Sequence, residues 1–356
     1  MKNIFFYVNF LLLLLFILLF ISSFINPYNI PIGNLSSVFL PFVAIFILFY
    51  FLILIIINYS KKWLYIAGIS IASFALNKSY FLNFESSKIE QENIKILSYN
   101  VSFFSVKKVF KKDYFDSSKN KEVQLIRQFA HKESPDVMCL QEFFNDENST
   151  IYNSIERFEK LGYHYFLKSK PRHDNGLNRG LITFSKYPII NSDIIAESNR
   201  EYNGAILTDL KISEKDTIRL INVHLTSMEL NKGSKSWIEF IKPFYSAYTT
   251  ATVERINQLE DIMSYIKNCP YKVILVGDFN ETQYSYLYKS IKSLMNNSFE
   301  EKGNGLGITF PFKIPGVGVR IDHMFYTPAI EIIDFNTLTD LEHSEHKPII
   351  GTFKIK

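Results

Sequence analysis

The sequence predicts an α/β domain over residues 94–354, preceded by a membrane region and a short polar linker over residues 83–93. Three observations carry this prediction. The first 82 residues contain no Asp, Glu or Arg. Beyond them, β-branched apolar runs alternate with helical patterns, as in α/β proteins. Several of the apolar runs end in a polar side chain. The domain is long enough for one large core of two packed sheets.

Three apolar runs predict membrane helices at residues 4–25, 38–57 and 63–82. Each of the first two is long enough to cross a hydrocarbon core about 30 Å thick. A cleaved signal peptide is the alternative for the first run, but no small-x-small cleavage pattern follows it and further apolar segments do. The third run is the weakest, because Asn77 and Lys78 interrupt it.

The lysines of this region predict its orientation. Lys2 precedes the first run, Lys61 and Lys62 separate the second from the third, and the loop over residues 26–37 carries no charge. Positive charge in short loops tends to stay in the cytoplasm. Three crossings then place the catalytic domain on the non-cytoplasmic side of a bacterial inner membrane. If the third run only lies on the membrane surface, the domain is cytoplasmic.

The charge balance bears on the substrate. Four of the 39 basic residues lie in the first 82, which leaves 35 basic and 35 acidic residues in the remainder. A neutral domain does not favour general capture of long nucleic acid. The lysine-rich segment 107–121 is a local exception, either a solvated loop or a contact for anionic groups. Cys139 and Cys269 form no CxxC motif, so zinc is not expected.

The most informative stretch is Val273-Ile-Leu-Val-Gly-Asp278-Phe-Asn280, an apolar run that ends in a carboxylate and an amide. Residues i and i+2 of an extended segment point the same way, so both side chains can project together. Alone, this pattern is equally typical of a capped turn. Other runs deliver polar side chains in the same manner, namely Ile94–Asn100, Pro135–Glu142, Leu220–His224, Arg320–Asp322 and Ser344–His346.

These blocks, in this order, resemble the endonuclease/exonuclease/phosphatase superfamily, in a membrane-anchored bacterial form. Pancreatic-type deoxyribonuclease, apurinic endonuclease and neutral sphingomyelinase have this fold. The blocks Arg179–Ile189 and Gly303–Phe310 add to the resemblance, which covers residues 94–354. It implies a four-layer α/β sandwich of two central mixed sheets flanked by helices. Helical patterns at residues 122–132, 151–161, 252–267 and 285–294 fit that architecture.

The resemblance also implies a metal site. Glu142 is the expected ligand, with Asn100 beside it and Glu345 as a further contact. Phosphate ester hydrolysis needs charge neutralised on the phosphoryl oxygens, and Mg²⁺ characteristically uses one or two carboxylates plus water. Mn²⁺ is the expected substitute. Two departures from the family pattern bear on the metal: Ser102 stands where many members have a charged residue, and Glu345 replaces the usual Asp.

Five further residues are expected to perform the chemistry. Asp322 would orient His346, which acts as general base or as phosphate contact. Asp278 is the competing candidate for activating the attacking water. His224 would contact the phosphoryl oxygens or protonate the leaving group, and Asn280 would polarise a phosphoryl oxygen. Arg179 is a candidate phosphate contact.

The sequence therefore predicts a membrane-anchored, Mg²⁺-dependent phosphodiesterase acting on nucleic acid or on a phospholipid or other small phosphodiester. The expected partners are the bilayer and this substrate, and no protein partner is evident. The aromatic segment Trp237–Tyr248 either lies on the bilayer surface or packs on the core. The alternative function is a catalytically degenerate membrane scaffold that retains the fold.

Overall fold

The computed structural model describes residues 2–57, 62–77, 79–83, 92–108, 121–169, 176–198, 202–228, 237–339 and 344–355. The chain forms two compact units. The first comprises Met1–Phe81, Met228–Ile256 and Glu281–Ser290. The second comprises Leu82–Ser227, Asn257–Asn280 and Ile291–Lys356. The first unit thus groups residues 228–256 and 281–290 with the apolar helices.

The first unit contains three apolar helices, α1 (Lys2–Ser22), α2 (Ser36–Ile56) and α3 (Lys62–Leu76). Among the described helices, α1 and α2 are long and apolar enough to cross a membrane, whereas α3 is shorter. The helix α3 ends at Leu76, whereas the predicted apolar run continued to residue 82. The polar residues Asn77 and Lys78 directly follow Leu76 in the sequence.

A glycine allows α2 and α3 to pack closely. A Cβ atom on Gly68 of α3 would lie 2.2 Å from Cε2 of Phe51 on α2. The Phe51 ring also packs against Tyr65, with 5.3 Å between the ring centroids. Close approach at a small residue is typical of helix packing in membranes. The two helices therefore form one packed pair in this unit.

One end of the helix bundle contacts the segment 281–290. Asn34, in the loop before α2, donates from Nδ2 to both carboxylate oxygens of Glu281, at 2.9 and 3.0 Å. Ser23, just after α1, accepts a hydrogen bond from Nζ of Lys289 at 2.8 Å. Ser79, just after α3, bonds the hydroxyl of Tyr284. The ends of α1 and α3 and the start of α2 therefore meet the same segment, so α3 runs in the same direction as α1.

A long helix, α6 (Trp237–Lys267), contributes residues up to Ile256 to this unit. Near its start Ile241 and Tyr245 are exposed, whereas Tyr248 is buried. Further along, Nε of Arg255 lies 2.8 Å from Oε1 of Glu281. Both side chains of this ion pair are buried.

The second unit is built on two six-stranded mixed sheets with helices around them, which confirms the predicted fold class. The first sheet has the order β13-β14-β1-β2-β4-β3. Its strands are β1 (Ile94–Asn100), β2 (Val137–Asp146), β3 (His164–Ser169), β4 (Leu177–Ser185), β13 (Ile330–Thr337) and β14 (Ile349–Ile355). The helices with residues in this unit, besides the end of α6, are α4 (Lys121–Glu133), α5 (Ser154–Glu159), α7 (Tyr286–Lys292, which begins in the first unit) and α8 (Ser298–Lys302).

The second sheet has the order β5-β6-β7-β8-β12-β9. Its strands are β5 (Ile189–Ala196), β6 (Gly204–Lys211), β7 (Thr217–His224), β8 (Lys272–Asp278), β9 (Asn296–Asn297) and β12 (Asp322–Tyr326). A small pair, β10 (Phe310–Pro311) and β11 (Gly318–Val319), lies outside both sheets. The sheets are joined by buried amides: Gln141 donates to Asn222 at 2.8 Å, and Asn222 donates to the carbonyl of Ile182 at 2.9 Å.

The strand directions bring the polar strand ends together. β7 and β8 are parallel with His224 opposite Asp278, and β12 is antiparallel to β8 with Asp322 opposite Asp278. Gly277 is required just before this point, because its φ is +142° and a Cβ atom there would lie 2.0 Å from the carbonyl oxygen of Val223. The register therefore gathers two carboxylates and an imidazole at one edge of the second sheet.

Candidate active site

A buried polar cluster occupies the strand ends of the second unit, with Asp278 at its centre. Oδ2 of Asp278 accepts a hydrogen bond from Nδ2 of Asn100 at 3.0 Å. The same oxygen lies 3.6 Å from Nε2 of His224 and 3.6 Å from Nε2 of His346. Asn100 comes from β1 of the first sheet, so the cluster draws on both sheets. Asp278, Asp322 and His346 form a group whose ligand atoms all lie within 4.8 Å of one another.

Asp322 is paired with His346 inside the cluster. Nδ1 of His346 lies 2.9 Å from Oδ2 of Asp322, and both side chains are buried. Burial lowers the pKa of His346, but the carboxylates of Asp322, Asp278 and Glu142 outweigh it and raise the pKa to about 9. The ring is therefore charged at neutral pH, with Nε2 directed towards Asp278.

His224 is held by the backbone rather than by a carboxylate. Its Nδ1 lies 3.0 Å from the carbonyl oxygen of Tyr202, which can only accept a hydrogen bond, so Nδ1 carries a proton. This leaves Nε2 facing Glu142, at 3.9 Å from Oε1, and Asp278. Nε2 is thus the ring atom of His224 that is directed at the cluster.

Glu142 and Asn280 both have backbone conformations that are rare for residues other than glycine. Their φ angles are +48° and +51°. Glu142 lies where the pairing of β2 with β4 shifts between Leu140 and Phe143, and its side chain is 27% exposed. Such backbone strain clusters at functional sites, where the surrounding structure holds it. Here it directs a solvent-accessible carboxylate to the cluster.

Asn280 is fixed by two hydrogen bonds near the cluster. Its backbone N–H donates to Oδ1 of Asp278 at 2.9 Å, and Nδ2 donates to the carbonyl of Leu225 at 3.0 Å. Nδ2 carries a second hydrogen. The amide can therefore donate to a substrate while it keeps its structural contact.

Two further predicted site residues are less buried than this group. Glu345 is exposed. Arg179, on β4, has its guanidinium 5.3 Å from the ring centroid of Phe144. Residues 109–120, which include most of the predicted lysine-rich segment, lie outside the described part of the chain.

The sequence reasoning missed a role for Ser344. Its hydroxyl donates to the carbonyl of Asn100 at 2.6 Å and accepts from the backbone N–H of His346 at 3.3 Å. Ser102 also bonds this hydroxyl, at 2.9 Å. Ser344 thus ties the end of β1 to the loop that carries His346. Its place two residues before His346 was the available signal, because an ST-turn uses that spacing.

The donor set fits a hard divalent cation. Three carboxyl groups, those of Glu142, Asp278 and Asp322, lie close to the imidazoles of His224 and His346. The donors are oxygens and imidazole nitrogens, without thiolate, which suits Mg²⁺ or Mn²⁺. Glu142 is the most accessible of the three carboxylates.

The fold and the cluster together define a class of phosphoester-cleaving enzymes, and the comparison of sequences is consistent with that class. Residues 97–346 match the Endonuclease/Exonuclease/phosphatase family. The chain belongs to this family, whose members are hydrolases that act on phosphate ester bonds.

Individual relatives are distant. A sphingomyelinase of Dictyostelium discoideum is 26% identical over 169 residues, which are 41% of this chain and 37% of that protein. The chain thus matches less than half of the length of this relative. An endonuclease/exonuclease/phosphatase from Beutenbergia cavernae has a similar structure, with a TM-score of 0.54 and 16% identity over 74% of this chain and 72% of that one. The 3′ phosphatase NExo from Neisseria, bound to a product DNA hairpin, has a TM-score of 0.51 and 14% identity over 73% and 99%. These two likenesses establish the fold alone.

Proposed function

We propose that the protein is a membrane-anchored, Mg²⁺-dependent phosphodiesterase. The observation that carries this proposal is the convergence of Asp278, Asp322, His346 and His224 at the strand ends, beside the accessible carboxylate of Glu142. Perturbed, closely spaced acids and imidazoles are typical of catalytic sites. A degenerate scaffold has no need to keep this arrangement, so the cluster argues against that alternative.

In this proposal each residue has one task. The cation of His346, held by Asp322, contacts the phosphoryl oxygens. Asp278 accepts the proton of the attacking water, because its Oδ2 is the atom on which the cluster converges. His224 donates a proton from Nε2 to the leaving oxygen. Asn280 donates its remaining amide hydrogen to a phosphoryl oxygen.

We propose that the metal ligands lie on the solvent-accessible side of the cluster. Glu142 would hold Mg²⁺, with Asn100 beside it, and Mn²⁺ would substitute. The ion would neutralise charge on the phosphoryl group. Glu345 is retained only as an outer contact, because its side chain is exposed. Arg179 is proposed as a phosphate contact of the substrate.

The net charge of the catalytic domain and the proposed membrane helices both bear on the class of substrate. A domain with equal numbers of acids and bases does not favour long nucleic acid. The partial match to a sphingomyelinase supports a phospholipid, whereas the fold is shared with an enzyme bound to DNA. The full-length protein in detergent with Mg²⁺ should be assayed on sphingomyelin, inositol phosphates and plasmid DNA. If the protein hydrolysed none of these three substrates, the result would contradict the proposal.

We further propose that all three apolar helices cross the membrane and that the catalytic residues lie on the non-cytoplasmic side. The contacts of Ser23, Asn34 and Ser79 with the segment 281–290 support an up-down-up arrangement. Glu281, which contacts the loop before α2, directly follows Asn280 in the sequence, and this chain continuity supports the proposal that the loop and the catalytic residues lie on the same side of the membrane. The uncharged loop 26–37 then lies outside under the positive-inside rule.

Cysteine labelling tests this topology. In a chain whose own two cysteines are replaced by Ser, Asn29→Cys and Lys215→Cys should react with a membrane-impermeant maleimide on intact bacterial cells. Lys62→Cys, at the start of α3, should react only after lysis. All three positions are exposed, so burial does not decide the result. Protection of Lys215→Cys in intact cells would show that the catalytic domain is cytoplasmic.

A further inference from the structure

A basic cavity of about 800 Å³ lies in the second unit between α4 and the segment 150–161. Its lining includes Arg127 and His131 from α4, and Arg157 and Lys160 from the other side. Among the described residues that line it, none is acidic. None of the lining residues belongs to the Asp278 cluster. The cavity is therefore a separate, positively charged feature.

One nitrogen atom of the Arg127 guanidinium has no partner within the described part of the chain. Its Nη1 atom is buried and has no hydrogen-bond partner among the described residues. Burial lowers the pKa of Arg127, and the neighbouring charge of Arg157 lowers it further, to about 10. A buried donor without a partner and a cation without a counter-ion both cost free energy. An anion in the cavity would remove both penalties.

The other basic side chains of the cavity differ in the hydrogen bonds and ion pairs that they already make. Arg157 donates from Nη2 to the carbonyl of Thr150 at 2.6 Å, which holds its guanidinium at the cavity. Lys160 is paired with Glu156 at 2.5 Å, so its charge is already compensated. Arg157 is also near Glu156, so Arg127 is the main group that an anion would meet, and Arg157 adds positive charge beside it.

The shape of the cavity indicates the size of the ligand. Its volume falls in the range of about 300–1,000 Å³ that is typical of small-molecule sites. Ile151 and Phe158, both buried, supply an apolar wall beside the arginines. Guanidinium groups match the geometry of phosphate oxygens, which they bind in pairs of hydrogen bonds. A ligand with an apolar ring beside a phosphate could contact the arginines through its phosphate and the apolar wall through its ring.

We propose that this cavity binds a phosphate-bearing small molecule of about nucleotide size, with Arg127 and Arg157 holding the phosphate and with Ile151 and Phe158 contacting its apolar part. The site is distinct from the catalytic cluster, so the ligand need not be the substrate. Binding there does not require the divalent metal.

Equilibrium dialysis of the full-length protein in detergent, with EDTA present, tests the site. The probes are adenosine 5′-monophosphate (AMP) and inorganic phosphate, both radiolabelled. We expect Arg127→Gln to raise the Kd for AMP at least tenfold, because charge-assisted hydrogen bonds are lost. Lys215→Gln removes an exposed positive charge elsewhere, and His346→Ala removes one from the catalytic cluster. Both controls should keep the wild-type Kd at this site.

The melting temperature without ligand separates binding from a structural role. Arg127→Gln should melt at or above the wild-type temperature, because it removes an uncompensated charge. Equal affinity of wild type and Arg127→Gln for AMP would overturn the proposal. A second combination of results would also overturn the proposal. In that combination, Arg127→Gln has a lower melting temperature than wild type, and Arg157→Gln, which changes an exposed group, binds AMP with the wild-type Kd. AMP binding no tighter than phosphate would contradict the role of the apolar wall.

Discussion

Replacing Asp278 by Asn should reduce turnover at least about a thousandfold, because the variant keeps the shape of the side chain but loses the proposed proton acceptor. His346→Ala should reduce turnover by a similar factor, because it removes the group that we propose to contact the phosphoryl oxygens. Both effects are to be measured as kcat on a substrate that the wild-type protein cleaves. Circular dichroism and the melting temperature confirm that the variants remain folded.

Matched controls separate chemistry from general damage. Asp193→Asn and His164→Ala make the same substitutions at exposed positions of β5 and β3. Both should keep wild-type kcat. Near-wild-type rates in Asp278→Asn and His346→Ala together would show that the cluster is not the active site.

Glu281→Gln should destabilise the first unit by about 3–5 kcal/mol, because it leaves the buried guanidinium of Arg255 without its counter-ion. Glu281 accepts from Arg255 and twice from Asn34, and all three side chains are buried. The uncharged amide of the variant cannot accept at both of its terminal atoms. Thermal unfolding of the full-length protein in detergent should show a melting temperature lower by roughly 10 °C.

An exposed ion pair offers the control for this prediction. Glu214 pairs with Lys211 at 2.9 Å, but its side chain is 90% exposed. Glu214→Gln should change the stability by less than about 1 kcal/mol, since solvent screens such pairs. Equal melting temperatures of Glu281→Gln and Glu214→Gln would contradict the inferred importance of the buried network.

The sequence was sufficient for the fold class, and it singled out polar residues that the structure brings together. Strand ends in α/β proteins converge, so polar residues at those ends identify the site before any coordinates are known. The structure places Asn100, His224, Asp278, Asp322 and His346 in one buried cluster, with Glu142 and Asn280 at its edge. The roles assigned to these residues remain proposals.

Other features depend on contacts between residues far apart in the sequence, which local patterns do not show. In the sequence, Asn34 has the features of an ordinary loop residue. Its hydrogen bond to Glu281 forms only when the chain folds. The helical pattern over residues 252–267 marks the end of α6 but not its start at Trp237, because Pro243 interrupts the pattern. The third apolar helix ends at Leu76 for a local reason, since polar residues follow.

Metal-dependent turnover tests the central claim most directly. The full-length protein should hydrolyse the chromogenic diester bis(p-nitrophenyl) phosphate with Mg²⁺, lose this activity in EDTA, and regain it when excess Mg²⁺ is added. Glu142→Gln should require a higher Mg²⁺ concentration for half-maximal rate, because a proposed carboxylate ligand is lost. An unchanged rate in EDTA, or an identical Mg²⁺ requirement in wild type and Glu142→Gln, would contradict a metal site at Glu142.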